Sequence, residues 1–123
     1  MAEWIKKQEI TVGKLIHGLK DTQIFVSIYI MHNGHPYRDF VAQVGFPHPA
    51  SSRRITLARI DRSHVFLHLD KLWMEEPEKL KINRSLDVWE AASMLEENWD
   101  SYFSRWSNRD DTEISEFFTM KKL

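Results

Sequence analysis

Two aspartates and two histidines lie close together in the segment DRSHVFLHLD of this 123-residue chain. They are Asp61, His64, His68 and Asp70. A histidine held by a carboxylate is the simplest general acid or base in proteins. Arg59 and Arg62 lie in or beside the segment and could bind the phosphate of a nucleic acid. The segment is therefore a candidate for a catalytic site with a phosphate-binding arginine next to it.

The backbone conformation decides which of these groups can act together. On a helix, His64 and His68 would be neighbours and could share a metal ion. On a strand they stand about 13 Å apart at roughly 3.3 Å per residue, which is too far for one ion. Apolar residues at every second position from 65 to 69 are typical of a strand. We therefore expect no metal and no cofactor, and we expect His68 and Asp70 to share a strand face.

The His68–Asp70 pair has two interpretations. It can be a carboxylate-oriented imidazole that performs acid–base chemistry, in which Asp70 or Asp61 orients His68. It can also be a structural hydrogen bond on the surface of a sheet. The sequence identifies no nucleophile or second base, and this favours the structural interpretation. Nucleotide-binding, serine hydrolase and zinc protease motifs do not occur in the chain.

A hairpin must precede this segment. Alternating β-branched residues predict a strand over residues 24–31 that turns at HNGHP and returns as YRDFVAQVGF. A two-residue turn at Asn33 and Gly34 would mix core and solvent faces. A three-residue loop keeps apolar residues together. It predicts that Ile28 pairs with Phe40, Val26 with Ala42 and Ile24 with Val44.

Further strands follow without an intervening helix. RITLARI resumes after PHPASS, HVFLHL follows the polar bend DRS, KLKIN follows EEPE, and EITVGKLIHGLK predicts a first strand before the hairpin. From Ser85 the period becomes helical, with Ser85 as the expected N-cap. The apolar stripe consists of Val88, Ala92, Leu95, Trp99, Tyr102 and Trp106.

These elements predict one α+β domain: an antiparallel β-meander of four to six strands with a C-terminal helix packed on one face. We expect residues 1–106 to form the domain and residues 107–123 to form a tail or a short docking helix. A length of 123 residues with 42% hydrophobic content suits one core.

Composition limits the function further. The chain has no cysteine, which excludes thiol chemistry and fits a reducing cytosol. Its longest apolar run, IFVSIYIM, is too short to cross a bilayer, and its start has no signal-peptide character. We expect a soluble, cytoplasmic protein with no membrane contact. A net charge of -1 argues against a generally nucleic-acid-binding surface, although the middle of the chain is basic.

RIDRSHVFLHLDKLW, followed by LDVWEAASMLEENWDSYFSRW, resembles a family of small uncharacterised bacterial and archaeal proteins. Members have a strand hairpin, a segment Y-D-x-x-H-G-x-x-H-x-D and a helix ending in N-W-x-x-Y. The resemblance covers roughly residues 22–106, with Ile60 at the aromatic position and Val65 at the glycine position. The matching residues are Asp61, His64, His68, Asp70, Asn98, Trp99 and Tyr102. A more distant likeness is to the TumE-like toxins of toxin–antitoxin pairs, which share a hairpin, a histidine-containing segment and a C-terminal helix.

Two functional hypotheses follow. The first is a toxin-like or nucleic-acid-processing protein, with RNA as a partner, that uses the His/Asp site. The second is a non-enzymatic protein-interaction module that binds a protein partner, or forms a homodimer, through its C-terminal helix and tail.

Overall fold

The structure is a computed structural model that describes residues 4–17, 20–32, 39–48, 53–63 and 66–109. Its elements are β1 (Trp4–His17), β2 (Lys20–Met31), β3 (Phe40–Pro47), β4 (Arg54–Ser63), β5 (Phe66–Lys71), β6 (Glu78–Lys81) and α1 (Val88–Ser107). The strands form one antiparallel sheet in the order of the sequence. The helix packs on β2, β3 and β4. The predicted α+β fold with a β-meander and a C-terminal helix is confirmed.

One face of the sheet forms the core with α1. Alternate residues of the central strands point to this face, as the period of a strand requires. They include Ile24, Val26, Ile28, Phe40, Ala42, Val44, Phe46 and Ile60, all of which are buried. Phe46 makes edge contacts with Phe103 and Trp106 of the helix, at ring centroid distances of 5.8 and 5.3 Å. Full burial of such a side chain stabilises a fold by about 1.5–3 kcal/mol.

The register of the β2–β3 hairpin differs from the prediction. Ile28 pairs with Ala42 and Val26 with Val44, a shift of two residues from the predicted pairs. Because a shift of two keeps the strand period, the residues predicted to point inward still do so. Among the described residues, the hydrogen bond nearest the turn runs from the amide of Met31 to the carbonyl of Asp39. Residues 33–38, which contain the predicted three-residue loop, lie outside the described part of the chain.

A β-bulge interrupts the pairing of β3 with β4. Val44 pairs with Ala58 but Gly45 pairs with Thr56, so Leu57 is an extra residue on β4. A Cβ atom on Gly45 would lie 2.1 Å from the carbonyl oxygen of Ile55. Glycine is therefore needed at position 45 for the two backbones to approach this closely.

Two predicted boundaries were wrong. The bend expected at DRS lies inside β4, which continues through Asp61 to Ser63. The helix N-cap is Asp87 and not Ser85, because the Asp87 carboxylate accepts a hydrogen bond from the amide of Glu90 and the Glu90 side chain accepts one from the amide of Asp87.

Most of the predicted tail, from residue 110 onward, lies outside the described residues. Among the helical residues described, none form a helix with the length and apolar character needed to cross a membrane.

Candidate active site

The sheet face turned away from α1, here called the polar face, carries two transverse rows of residues. Strand pairing aligns one residue of each strand in each row. The first row is Glu9, Ser27, Gln43, Arg59, Asp70 and Lys79, and the second is Lys6, Tyr29, Val41, Asp61, His68 and Lys81. Charged side chains at opposite positions of neighbouring strands lie within contact distance. The fold thereby brings residues from distant parts of the sequence to one surface.

His68 lies between two carboxylates. Its Nε2 is 3.0 Å from Oδ1 of Asp61, the residue directly opposite on β4. Its Nδ1 is 2.8 Å from Oδ1 of Asp70, two residues further along β5. His68 is 0% exposed and Asp70 is 3% exposed. Asp61, His68 and Asp70 are here called the triad. The Asp61 side chain is 17% exposed, so Asp61 is the member of the triad that reaches the surface.

Two cations hold Asp70 in its ionised form. Lys79 Nζ donates to Oδ1 and Arg59 Nη2 donates to Oδ2, each at 3.0 Å. Burial alone raises the pKa of the Asp70 carboxyl, but the hydrogen bonds from Lys79 and Arg59 and the charge of His68 outweigh it. The pKa of Asp70 is therefore lowered on folding.

Arg59 connects the two carboxylates of the cluster. Besides its contact with Asp70, its Nε lies 3.6 Å from Oδ2 of Asp61. Its side chain is 37% exposed, so part of the guanidinium faces solvent. Arginine presents five donors in a planar fork, and those not used by the aspartates could bind a phosphate.

A surface pocket of about 400 Å³ opens beside this cluster. It is lined by Trp4, Tyr29, Val41, Gln43, Arg59 and Asp61. The two charged lining residues are the ones in contact with the buried pair His68 and Asp70. The triad thus connects the interior of the polar face to a concave surface.

Four of the six predicted site residues converge: Arg59, Asp61, His68 and Asp70. Arg62 pairs with Leu67, whose side chain is part of the core, and strand alternation places Arg62 on the opposite face from Asp61. His64 lies outside the described residues. Sequence reasoning missed Lys79 and the pocket residues on β1, β2 and β3. None of these residues is close to His68 in the sequence, so they could have been found only from the correct strand register.

Asp61, His68 and Asp70 each offer one ligand atom within 4.8 Å of one another, a spacing that could hold a metal ion. Oδ1 of Asp70 already contacts Lys79 and His68, and Oδ2 contacts Arg59. An ion that used Asp70 would therefore have to displace a cation. These contacts of Asp70 fit an ion-pair network better than a metal centre.

A family model described as a domain of unknown function, DUF7718, matches residues 7–112. The chain belongs to this family. The match starts in β1 and continues past the end of α1, so the DUF7718 domain contains almost the whole sheet and the helix. Membership of an uncharacterised family, expected from the sequence, is confirmed. No curated protein and no solved structure matches this DUF7718 chain.

Proposed function

We propose that this DUF7718 protein processes a nucleic acid and that Arg59, Asp61, His68 and Asp70 form its acid–base site. The observation that carries the proposal is a fully buried imidazole with a carboxylate at each ring nitrogen, of which one carboxylate reaches a pocket. Desolvating such charges costs several kcal/mol per ion, and apolar residues often stabilise a fold equally well. Clusters of this kind are concentrated at functional sites.

Burial determines the role of each group. His68 is 0% exposed and cannot touch a substrate, so it is a positioning residue that acts through Asp61. From the sequence, proton transfer was assigned to His68. The proposal assigns it to Asp61, whose side chain is partly exposed. Asp70, fixed by Arg59 and Lys79, lies 2.8 Å from the other ring nitrogen, Nδ1.

The proposed reaction is cleavage of an RNA phosphodiester. Asp61 accepts the proton of the attacking 2′-hydroxyl, the O2′–P bond forms and the P–O5′ bond breaks, and the leaving oxygen takes a proton from water. Arg59 stabilises the phosphate as negative charge develops on its oxygens. Neither Asp61 nor Arg59 would need to move far, because both already line the pocket.

The experiment is cleavage of a labelled single-stranded RNA by the purified protein. Asp61→Asn should lower the rate by about 100-fold or more, the range that general acid–base groups supply. Arg62→Ala is the matched control, since Arg62 belongs to the opposite face, and it should cleave at the wild-type rate. Wild-type protein that leaves RNA intact, or an Asp61→Asn variant as fast as wild type, would contradict the proposal.

A toxin-like role, in the sense of the TumE-like toxins, adds a prediction in cells. Expression of the protein should inhibit growth, and His68→Ala should relieve the inhibition while far-UV circular dichroism still reports a folded chain. Growth inhibition that persists in the folded His68→Ala variant would exclude the triad as its source.

A second candidate is a protein-interaction module, favoured by the edges of the sheet. Within the described residues β1 and β6 each pair with a strand on one side only, which leaves backbone groups available to a further chain. Trp4 and Ile10 of β1 and Leu80 of β6 are exposed at 43%, 37% and 49%. Self-association through α1 and residues 107–123 remains a proposal.

Light scattering on the full chain and on a chain lacking residues 110–123 separates these surfaces. A dimer that becomes a monomer on truncation supports the tail as the contact, and a dimer that survives supports the edge strands. A strict monomer in both cases would count against self-association.

A further inference from the structure

We propose that the pocket on the polar face is a stacking subsite for one unpaired nucleobase, which makes single-stranded nucleic acid the substrate class. This inference rests on the function proposed above and names the substrate of the same site. Three independent features of the pocket support it: its aromatic side chains, its unused amide and its position relative to Arg59.

Two aromatic side chains line the pocket from neighbouring strands. Trp4 lies opposite Met31 at the start of β1, and Tyr29 lies two residues before Met31 on β2, on the same face. Trp4 is 43% exposed although it is among the largest apolar side chains of the chain. Every base has a π-face, and exposed aromatics on a sheet surface are the usual platform for unstacked bases.

Gln43 supplies a polar group for the edge of a base. Gln43 lines the pocket, and none of the described residues forms a hydrogen bond with its carboxamide. A carboxamide has both a donor and an acceptor, which matches the Watson–Crick edge of a base. Base pairing in a duplex hides that edge, so this contact favours a single strand.

The cation for the backbone lies next to the amide. Gln43 on β3 pairs directly with Arg59 on β4, and neighbouring strands are about 4.8 Å apart. A base over Tyr29 and Gln43 would replace the Lys6 ammonium, which lies over the Tyr29 ring at 5.9 Å from its centroid, and would place its phosphate near Arg59 and Asp61. The pocket volume of about 400 Å³ falls within the range of small-ligand sites.

The test is binding of a fluorescein-labelled ten-nucleotide DNA strand, followed by fluorescence anisotropy. DNA lacks the 2′-hydroxyl, so binding is measured without the cleavage proposed above. The single strand should bind at least about 10-fold more tightly than the matching duplex. Tyr29→Ala and Trp4→Ala should each weaken binding by about 5-fold or more, the effect of removing a base-stacking aromatic.

Two variants serve as controls. Tyr29→Phe keeps the ring and should recover the binding that Tyr29→Ala loses. Trp89→Ala removes a tryptophan that is 51% exposed on α1, outside the pocket, and should also bind normally. Inorganic polyphosphate, which offers charge without bases, should compete weakly with the labelled strand.

Several outcomes would overturn the subsite: no binding of the strand, equal binding of strand and duplex, full competition by polyphosphate, or normal binding by both alanine variants. A different outcome would overturn the proposed acid–base chemistry and leave the subsite intact. If the strand binds through Trp4 and Tyr29 but Asp61→Asn cleaves RNA normally, the subsite stands and the acid–base assignment is wrong.

Discussion

His68 and Asp70 are buried on a face whose neighbouring positions are polar, so their contacts must offset the loss of water. Asp70 contacts His68, Arg59 and Lys79, and each of its oxygens faces a cationic group. Removing one member of a buried ion pair leaves the remaining charges without compensation. The stability of the polar face therefore depends on Asp70 more than on any exposed member of the cluster.

Asp70→Ala should accordingly lower the free energy of unfolding by about 1–3 kcal/mol, because it removes the buried acceptor while water can still solvate the partly exposed Arg59 and Lys79. Urea unfolding at pH 7 measures it. Glu78→Ala is the control, because the Glu78 side chain is 63% exposed and its 3.9 Å contact with Lys71 is a surface ion pair. Equal effects of the two substitutions would mean that Asp70 contributes no more than a surface charge.

The same residue predicts the acid sensitivity of the fold. The pKa of Asp70 is lowered from its usual 3.8, because its hydrogen bonds and the charge of His68 outweigh burial. Its stabilising effect is thus fully present above about pH 4 and is lost as the pH falls through the lowered pKa.

Asp70→Asn cannot titrate at this position. The difference in unfolding free energy between wild type and Asp70→Asn should therefore be largest near pH 7 and should shrink below pH 4. Urea unfolding across this pH range checks it. A difference that stays constant down to pH 2 would show that folding does not lower the pKa of Asp70.

At the scale of residues, all four members of the proposed acid–base site were among the six candidates named from the sequence. Alternation along one strand was enough to predict that His68 and Asp70 share a face. The sequence left open whether Asp61 or Asp70 contacts His68, because a bend was expected at residues 61–63, and the structure places both carboxylates beside the ring. Lys79 and Gln43 could not be predicted, since their positions depend on the register between strands, which alternation within one strand does not determine.

At the scale of elements, the bulge between β3 and β4 sets the orientation of everything that follows on β4. A methyl group on Gly45 would collide with the backbone of Ile55, and backbone atoms cannot rotate away. A methyl group on Gly13 would meet the indole ring of Trp99 at 2.3 Å, and a side chain can shift.

Gly45→Ala should therefore destabilise the fold by more than about 3 kcal/mol, and Gly13→Ala by about 1–3 kcal/mol. Thermal unfolding of the two variants gives the comparison. If Gly13→Ala proves more damaging than Gly45→Ala, the close approach of β3 to β4 is not the constraint described here.

The start of α1 provides a second element-scale prediction. Asp87 and Glu90 form a reciprocal capping box, whereas Ser85 lies outside the helix and is exposed. Asp87→Ala should cost about 1 kcal/mol of stability, and Ser85→Ala should change it by less than about 0.5 kcal/mol. Urea unfolding of both variants measures this. A larger effect at Ser85 would mean that Ser85, as predicted from the sequence, is the N-cap of α1.

Element types were more predictable than element boundaries. The β-branched run of β2 and the apolar stripe of α1 are long and periodic, so their types followed from the sequence. The hairpin register did not, because it depends on the length of a loop whose turn signals fit several lengths. The bulge also breaks the alternation on β4, so that Leu57 and Ala58 are both buried.

At the scale of the whole molecule, the sheet has two chemically different faces. One is covered by α1 and is apolar, and the other carries two rows of mostly polar residues with a buried imidazole in one of them. A domain of this size needs one core, and α1 completes that core without the polar face. The charges there are therefore open to a functional explanation, and our central claim is that they form a site.

Replacing the centre of the cluster with apolar residues tests this claim most directly. The double variant carries Asp61→Val and His68→Leu. In it, Asp70 retains its hydrogen bonds from Arg59 and Lys79. Apolar replacement of buried charges is often neutral or stabilising. We predict an unfolding free energy within about 2 kcal/mol of wild type and loss of RNA cleavage by about 100-fold or more. A folded double variant that cleaves RNA at the wild-type rate would contradict the claim.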